Sequence, residues 1–292
     1  MRAVRAGKEK RAAMPSTALA TALGTPRTCV EFRKVHGAGN DFIFINGPFE
    51  YPDLPGLARD LCTRQTGIGA DGLVISTRLS SDPPTYEVRC LNADGSEATM
   101  CGNALRCAAW CAAADHGHTE VTMDMAGVRH RGQVQGSEAA VTAEAGPVHR
   151  AAVAVDDDGQ VYEFDAVHTG TEHAVTFVAD VDAVDAARIG SAVRYHDAFA
   201  PAGTNVSFVQ PAGPGELRIR TYERGVEAET LSCGSGAVAA VIAARARQLT
   251  GQDTVTVHNR AEEPLTVRPD PASPGRTFWV SGPAAIVFTG QI

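Results

Sequence analysis

One pattern of residues runs twice through this chain, and such a repeat limits the fold more than any single motif does. In the first half "YEVRCLNADGSEATMCGNAL", residues 86–105, reads as a strand, an Asp94-Gly95 turn and acidic loop, then a helix opening on Cys-Gly. In the second half "LRIRTYERGVEAETLSCGSGAV", residues 217–238, repeats that order with one extra loop residue. Sliding the halves together pairs Glu97 with Glu229, Cys101 with Cys233 and Gly102 with Gly234. Upstream, "GAGNDFIF" has an echo in "AGTNVSFV" that pairs Asn40 with Asn205. Two copies of one unit predict pseudo-twofold domains, each presenting a cysteine-bearing helix start to a shared cleft.

The rest of the chain fits such a pair. "VEFRKVHGAGNDFIFING" reads as strand, glycine loop and strand. "LPGLARDLCTRQTGIGADGLVIS" begins as a helix, breaks at Gly67 and Gly69 and resumes as a strand at Leu73. Short strands separated by glycine follow from Val121 to Val155, and "VAVDDDGQVYEF" forms a hairpin on Asp158-Gly159. "DVDAVDAARIGSAVRYH" predicts a helix, and "GTNVSFVQ" predicts a strand. "CGSGAVAAVIAARARQLTG" predicts a helix with Gly251 past its end. Three strands, "DTVTVHN", "EPLTVRP" and "RTFWVSGPAAIVFTGQI", close the chain.

Composition narrows the chemistry. The net charge of −8 argues against a nucleic-acid partner, which would want a basic surface. No stretch approaches the 18 or so apolar residues of a membrane span. Residues 1–28 carry six of the basic residues against one acid, Glu9, and are expected to form a disordered extension. Seven cysteines, an odd number at irregular spacing, do not form a disulfide framework. They predict reduced thiols and a cytoplasmic setting. Cys107 and Cys111 share a helix face, but Cys101 lies about 120° from Cys107 at 3.6 residues per turn, so no metal is expected there. Cys29, Cys62, Cys90, Cys107 and Cys111 are expected to be buried structural thiols.

Cys101 and Cys233 are the candidate catalytic pair. The first-turn N–H groups of a helix lack partners, and the dipole adds roughly half a positive charge there. A cysteine at that point is stabilised as thiolate. Gly102, Asn103, Gly234 and Ser235 would offer N–H donors to a substrate carboxylate lying between two such helix starts. Inverting a stereocentre needs a base on one face and an acid on the other, and two pseudosymmetric cysteines supply both.

"KVHGAGNDF", "LNADGSE", "CGNALRC", "YERGVEAETLSCGSGA" and "GPAAIVFTGQI" together resemble the diaminopimelate epimerases along residues 28–292. The resemblance implies an α/β (α+β) fold of two pseudo-symmetric domains, each a mixed sheet or barrel wrapped around a central helix. The expected division is 29–148, joined by the C-terminal strand 276–292, and 149–275. It implies no cofactor, two catalytic cysteines, a small amino-acid substrate and a homodimer. It places Asn40, Gly72, Asn92, Thr171, Asn205, Glu223 and Arg224 at the substrate, with His173 and Glu223 tuning the two cysteines. Arg224 suits a second carboxylate because its fork meets that group in a bidentate way. The chain departs from the family pattern at Ala104, Thr171, Glu172, Gly72 and His168, changes read as lying on the substrate side. The expected reaction is epimerisation of LL-diaminopimelate to the meso form. The alternative is a cofactor-independent racemase of another amino acid, for instance histidine or another basic one. A proline racemase would share the cysteines, but Asn92, Asn205 and Arg224 argue for the diaminopimelate branch. A binding module using the same fold without turnover is the remaining contrast.

Overall fold

In the computed structural model, which describes residues 29–157 and 159–292, all the strands but β13 (Ala228–Thr230), which pairs with its neighbour at the side, follow one hydrogen-bonded path. The extension expected over 1–28 lies outside the described residues, as does Asp158 of the expected turn.

The first half runs β1 (Glu31–Gly37), β2 (Asn40–Asn46), α1 (Leu54–Cys62), β3 (Gly72–Ser81), β4 (Pro84–Asn92), α2 (Gly102–His116), β5 (Glu120–Met125), β6 (Val128–Gln135) and β7 (Glu138–Glu144). The second runs β8 (Val148–Asp157), β9 (Gln160–His168), β10 (Glu172–Phe177), α3 (Ala186–Arg194), β11 (Asn205–Gly213), β12 (Glu216–Glu223), β13 (Ala228–Thr230) and α4 (Gly234–Ala246). It ends on β14 (Val255–His258), β15 (Leu265–Pro269) and β16 (Thr277–Gln291).

The repeat is exact in its pairing senses. β1–β2 and β9–β10 are antiparallel, β2–β3 and β10–β11 parallel, and β3–β4 and β11–β12 antiparallel. β4–β5 and β12–β14 are parallel, and antiparallel β5–β6–β7 matches β14–β15–β16. β16 serves both halves. Its first part pairs with β7 and β15, and its second part with β1, closing β1–β7 into a barrel.

Each sheet encloses a helix. In β2, Phe42 and Phe44 pack with Leu105 and Ala108 of α2, while the alternate residues Ile43 and Ile45 pack with Leu57 and Leu61 of α1 on the outside. A strand covered on both faces must be apolar at consecutive positions, which is why "FIFI" does not alternate. α4 is buried over all of Gly234–Ala244, and its core partners include Val255, Val257, Leu265 and Val280. A helix hydrophobic all round belongs inside a core, and its alanines and glycines keep it thin enough to fit there. The same closeness acts on the sheet: a Cβ on Gly132 of β6 would stand 2.8 Å from Val121 Cγ2 and 3.0 Å from Ala109 Cβ. α1 and α3 lie outside and are capped conventionally, by Asp53 accepting from Gly56 N and Asp185 from Arg188 N.

Several elements differ from expectation. α1 stops at Cys62, where Thr63 turns extended (ψ 119°), before either glycine. β10 and β13 carry weak local signals and are fixed by their neighbours. α4 ends at Ala246 with Arg247 as its C-cap, and past that end it is Gln248, rather than a glycine, that takes the left-handed φ of 60° and donates its N–H to Arg245 O. Cys29 is exposed, in contrast to Cys62, Cys90, Cys107 and Cys111, because it precedes β1 and has no second layer over it. Among the described residues no helix is long and apolar enough to cross a membrane.

A left-handed conformation at a residue with a Cβ is strained by roughly 1 kcal/mol. Gln248→Gly should therefore raise stability by about 0.5–1 kcal/mol, or roughly 1–3 °C in thermal midpoint; calorimetry would check this.

Candidate active site

Cys101 and Cys233 are the N-cap residues of α2 and α4, with φ −144° and −123°. The two helices meet end to end. A Cβ built on Gly234 would lie 3.6 Å from Gly102 Cα and 3.5 Å from Asn103 Oδ1. The unpaired N–H groups of both first turns thus converge on one space, and Gly102, Asn103, Gly234 and Ser235 are all buried there. Cys233 Sγ accepts from Gly236 N at 3.4 Å, and its hydroxyl neighbour Ser235 Oγ stands 3.5 Å away.

Around this junction the expected residues form two groups. In the second half, Arg224 Nη2 donates to Thr171 Oγ1 at 3.0 Å, and Arg224 N donates to Asn205 Oδ1 at 2.9 Å. Asn205 Nδ2 in turn donates to Glu172 O at 2.9 Å. In the first half, Asn103 Nδ2 donates to Asn40 Oδ1 at 3.0 Å and to Ser232 O at 2.9 Å, the latter reaching across to the other half. Asn40 Nδ2 donates to Asp71 Oδ2 at 2.6 Å. Asn92 faces Gly225, where a Cβ would meet its Nδ2 at 3.2 Å. Gly72 offers backbone alone, since a Cβ there would stand 2.7 Å from Leu91 O. Beside the junction a cleft of about 670 Å³ separates the halves, lined by Thr99, Met100, Gly146, His168, Gly170 and Arg276 among others. None of the expected site residues lines it.

Strand register corrects the upstream half of the repeat. Phe42 pairs with Gly72 as His173 pairs with Asn205, so Gly72 is the mate of Asn205, and Asn40 is the mate of Thr171. The echo between "GAGNDFIF" and "AGTNVSFV" is therefore accidental. The true one is "VHGAGNDF" against "VHTGTEH", obscured by a one-residue gap. The downstream half stands: Glu97 bridges Leu91 as Glu229 bridges Tyr222, and each is gripped by an arginine, Arg89 at 2.8 Å and Arg220 at 2.6 Å. Asn92 is then the mate of Glu223. His168 and Glu172 are mates of His36 and Asp41, and they bond each other at 2.9 Å on an exposed face. Of the residues read as lying on the substrate side, Thr171 stands within this cluster through its bond to Arg224, and Glu172 joins it through its backbone carbonyl, which accepts from Asn205.

The two cysteines sit in unlike fields. Cys101 is held below the ordinary thiol range, first by the Cys90 thiol beside it, with Ala104 N–H and the Arg106 guanidinium assisting against burial and Glu223. Cys233 is pushed well above that range by burial and then by Glu223, against the Ser235 hydroxyl and Gly236 N–H. The arrangement favours thiolate on Cys101 and thiol on Cys233, titrating together. His173, fully buried and 3.0 Å from Ser235 Oγ through Nε2, is lowered to about 3 by burial, then Arg224 and His168. It is neutral at physiological pH. Glu223, which accepts from the Thr230 hydroxyl, is raised by burial to about 7. Cys90, expected as a buried structural thiol, is buried but also stands beside Cys101; Asp71 and Arg106 were not singled out from sequence, though Arg106 had a signal, an arginine in "CGNALRC" where α4 carries Val238.

A sequence model of the family described as diaminopimelate epimerase matches residues 32–151 and 165–270. The diaminopimelate epimerase of Desulfitobacterium hafniense is 39% identical over 90% of this chain and 98% of its own, and that of Aquifex aeolicus is 34% identical over 90% and 98%. Among solved structures, a hydroxyproline epimerase from Agrobacterium vitis shares the fold with a TM-score of 0.67, 16% identity and 91% of each chain covered. A PhzF-family phenazine biosynthesis protein of Enterococcus faecalis does so with a TM-score of 0.66, 14% identity, and 91% and 99% covered.

Glu223 gives a prediction with a definite sign. Its folded value near 7 lies above the ordinary 4.5. Folding therefore favours the neutral acid, a contribution complete below pH 4.5 and lost as pH rises through 7. Glu223→Gln stays neutral, so its thermal midpoint relative to the native chain should climb by several degrees between about pH 5 and pH 8. A constant difference across that interval would show that Glu223 titrates as an ordinary carboxylate.

Proposed function

The chain belongs to the diaminopimelate epimerase family, and we propose that it converts LL-diaminopimelate to the meso form by two-base proton transfer between Cys101 and Cys233. The observation that carries this reading is the pair of cysteine-capped helices meeting tip to tip, with their first-turn N–H groups converging. A substrate α-carboxylate held there places Cα between the sulfurs. In one direction the Cys101 thiolate takes the α-proton as the Cα–H bond breaks, and the electron pair moves toward the carboxylate, where the N–H donors stabilise it. The Cys233 thiol then gives its proton to the opposite face, which inverts the centre and leaves thiolate on Cys233. The reverse reaction exchanges the roles. No cofactor takes part. Arg224, Asn205, Thr171 and Asn92 receive the distal amino-acid head, with Thr171 hydrogen-bonded to Arg224. Ser235 links neutral His173 to Cys233, and Glu223 guards the proton on Cys233. The product serves lysine and peptidoglycan synthesis.

We further propose a cytoplasmic homodimer. The free thiols suit a reducing compartment. On β16, Val287 is 59% and Phe288 47% exposed, and the Phe288 ring packs edge-on to Phe32, an apolar strip that a second copy would cover.

In deuterated water the native enzyme should place one solvent deuteron at Cα of each epimerised product. Cys101→Ala and Cys233→Ala should each lower kcat by about 10³-fold or more. Retained turnover in either, or no exchange with diaminopimelate, would end the proposal. For the dimer, Phe288→Asp should halve the mass seen by sedimentation.

A further inference from the structure

Four side chains form one hydrogen-bonded line from the residue before β3 to the second turn of α2. Asn40 Nδ2 donates to Asp71 Oδ2 at 2.6 Å, Asn103 Nδ2 to Asn40 Oδ1 at 3.0 Å, and Arg106 Nη2 to Asn103 Oδ1 at 2.6 Å. Asn103 Nδ2 also crosses to the other half, donating to Ser232 O at 2.9 Å, one residue before Cys233. An amide can be turned either way, and its neighbours decide which. Here the two ends of the line decide. A guanidinium only donates, so Arg106 takes the Asn103 carbonyl and leaves its NH2 for Asn40 and Ser232. A carboxylate only accepts, so Asp71 draws the Asn40 NH2 and turns the Asn40 carbonyl toward Asn103. Turned the other way, Asn40 would set its NH2 against that of Asn103.

Asp71 is itself firmly held. Its N–H donates to Asp41 O at 2.9 Å, its carbonyl accepts from Ala93 N at 3.1 Å, and its Oδ1 accepts from Arg64 Nη2 at 2.7 Å. The Arg64 side chain is 57% exposed, so that ion pair is screened by water and contributes little; the bond that reaches the site is the inward one. The mates of these residues are wired otherwise. Thr204, mate of Asp71 by strand register, donates to Asn205 O. Thr171, mate of Asn40, accepts from Arg224, and Ser235, mate of Asn103, meets His173. We propose that Asp71 is a positioning residue: through the amides of Asn40 and Asn103 it fixes how far the tip of α2 stands from Ser232, and hence the span between the Cys101 and Cys233 sulfurs. This rests on the two-cysteine reading above, in which the proton crosses that span. A misplacement of about 1 Å in such a step costs on the order of a hundredfold in rate.

The test is a double-mutant cycle on kcat with diaminopimelate as substrate, read together with the primary isotope effect of the α-deuterated compound. Asp71→Ala should lower kcat by about tenfold or more and raise the isotope effect, because a longer transfer slows the proton step itself. Asn103→Ala, which keeps its backbone N–H at the helix tip, should do the same. With both replaced, the loss should stay within about twofold of that in Asn103→Ala alone, since a residue acting through another adds nothing once the other is gone. Losses that multiply, an unmoved isotope effect, or native kcat in either folded single variant overturns the proposal. Should Asp71→Ala fail to fold, Asp71→Asn, which keeps the shape but brings an N–H to compete with the acceptor, takes its place in the cycle with the same signs. The outcomes separate from the parent reading: turnover surviving Cys101→Ala ends the two-cysteine mechanism, whereas essential cysteines with multiplying losses end this inference alone.

Discussion

Two helix N-termini pointing at each other are an unfavourable arrangement in isolation, because each carries partial positive charge and unpaired N–H donors. The fold holds α2 and α4 in that arrangement by enclosing each within strands. Gly102 and Gly234 permit the close approach. The electrostatic cost is met when an anion lies between the tips, and on the proposed reading the cysteines and a substrate carboxylate supply it. The site thus follows from the architecture, and the architecture from the duplication.

Much of this was legible. The repeat marked both cysteines and Glu97 with Glu229, since turn residues and helix formers around them are local signals. The upstream equivalence was misplaced because a one-residue gap hid "VHTGTEH", and cross-strand register is not written in any one segment. Gln248 escaped notice because a glutamine in a left-handed cap contradicts propensity and is held by its context. Asp71 and Arg106 were missed for a different reason: what matters in them is whom they touch across long sequence separations, as in the Asn40–Asp71 bond.

The two halves are alike in topology and unlike in charge. Arg106 opposes Val238, Glu223 opposes Asn92, and His173 opposes Phe42. On the proposed mechanism a symmetric dyad would leave the proton undecided between the sulfurs, and these substitutions would bias it toward Cys233. Their positions on the ends of equivalent strands and helices allow that bias without disturbing the matched hydrogen-bond ladders.

β16 lends its first residues to β7 and β15 and its last to β1. The two halves are therefore seamed along a single ribbon. One segment thus completes the first barrel and borders the second sheet, so unzipping it would undo both at once. The last strand of the chain is the joint on which the two cores depend together.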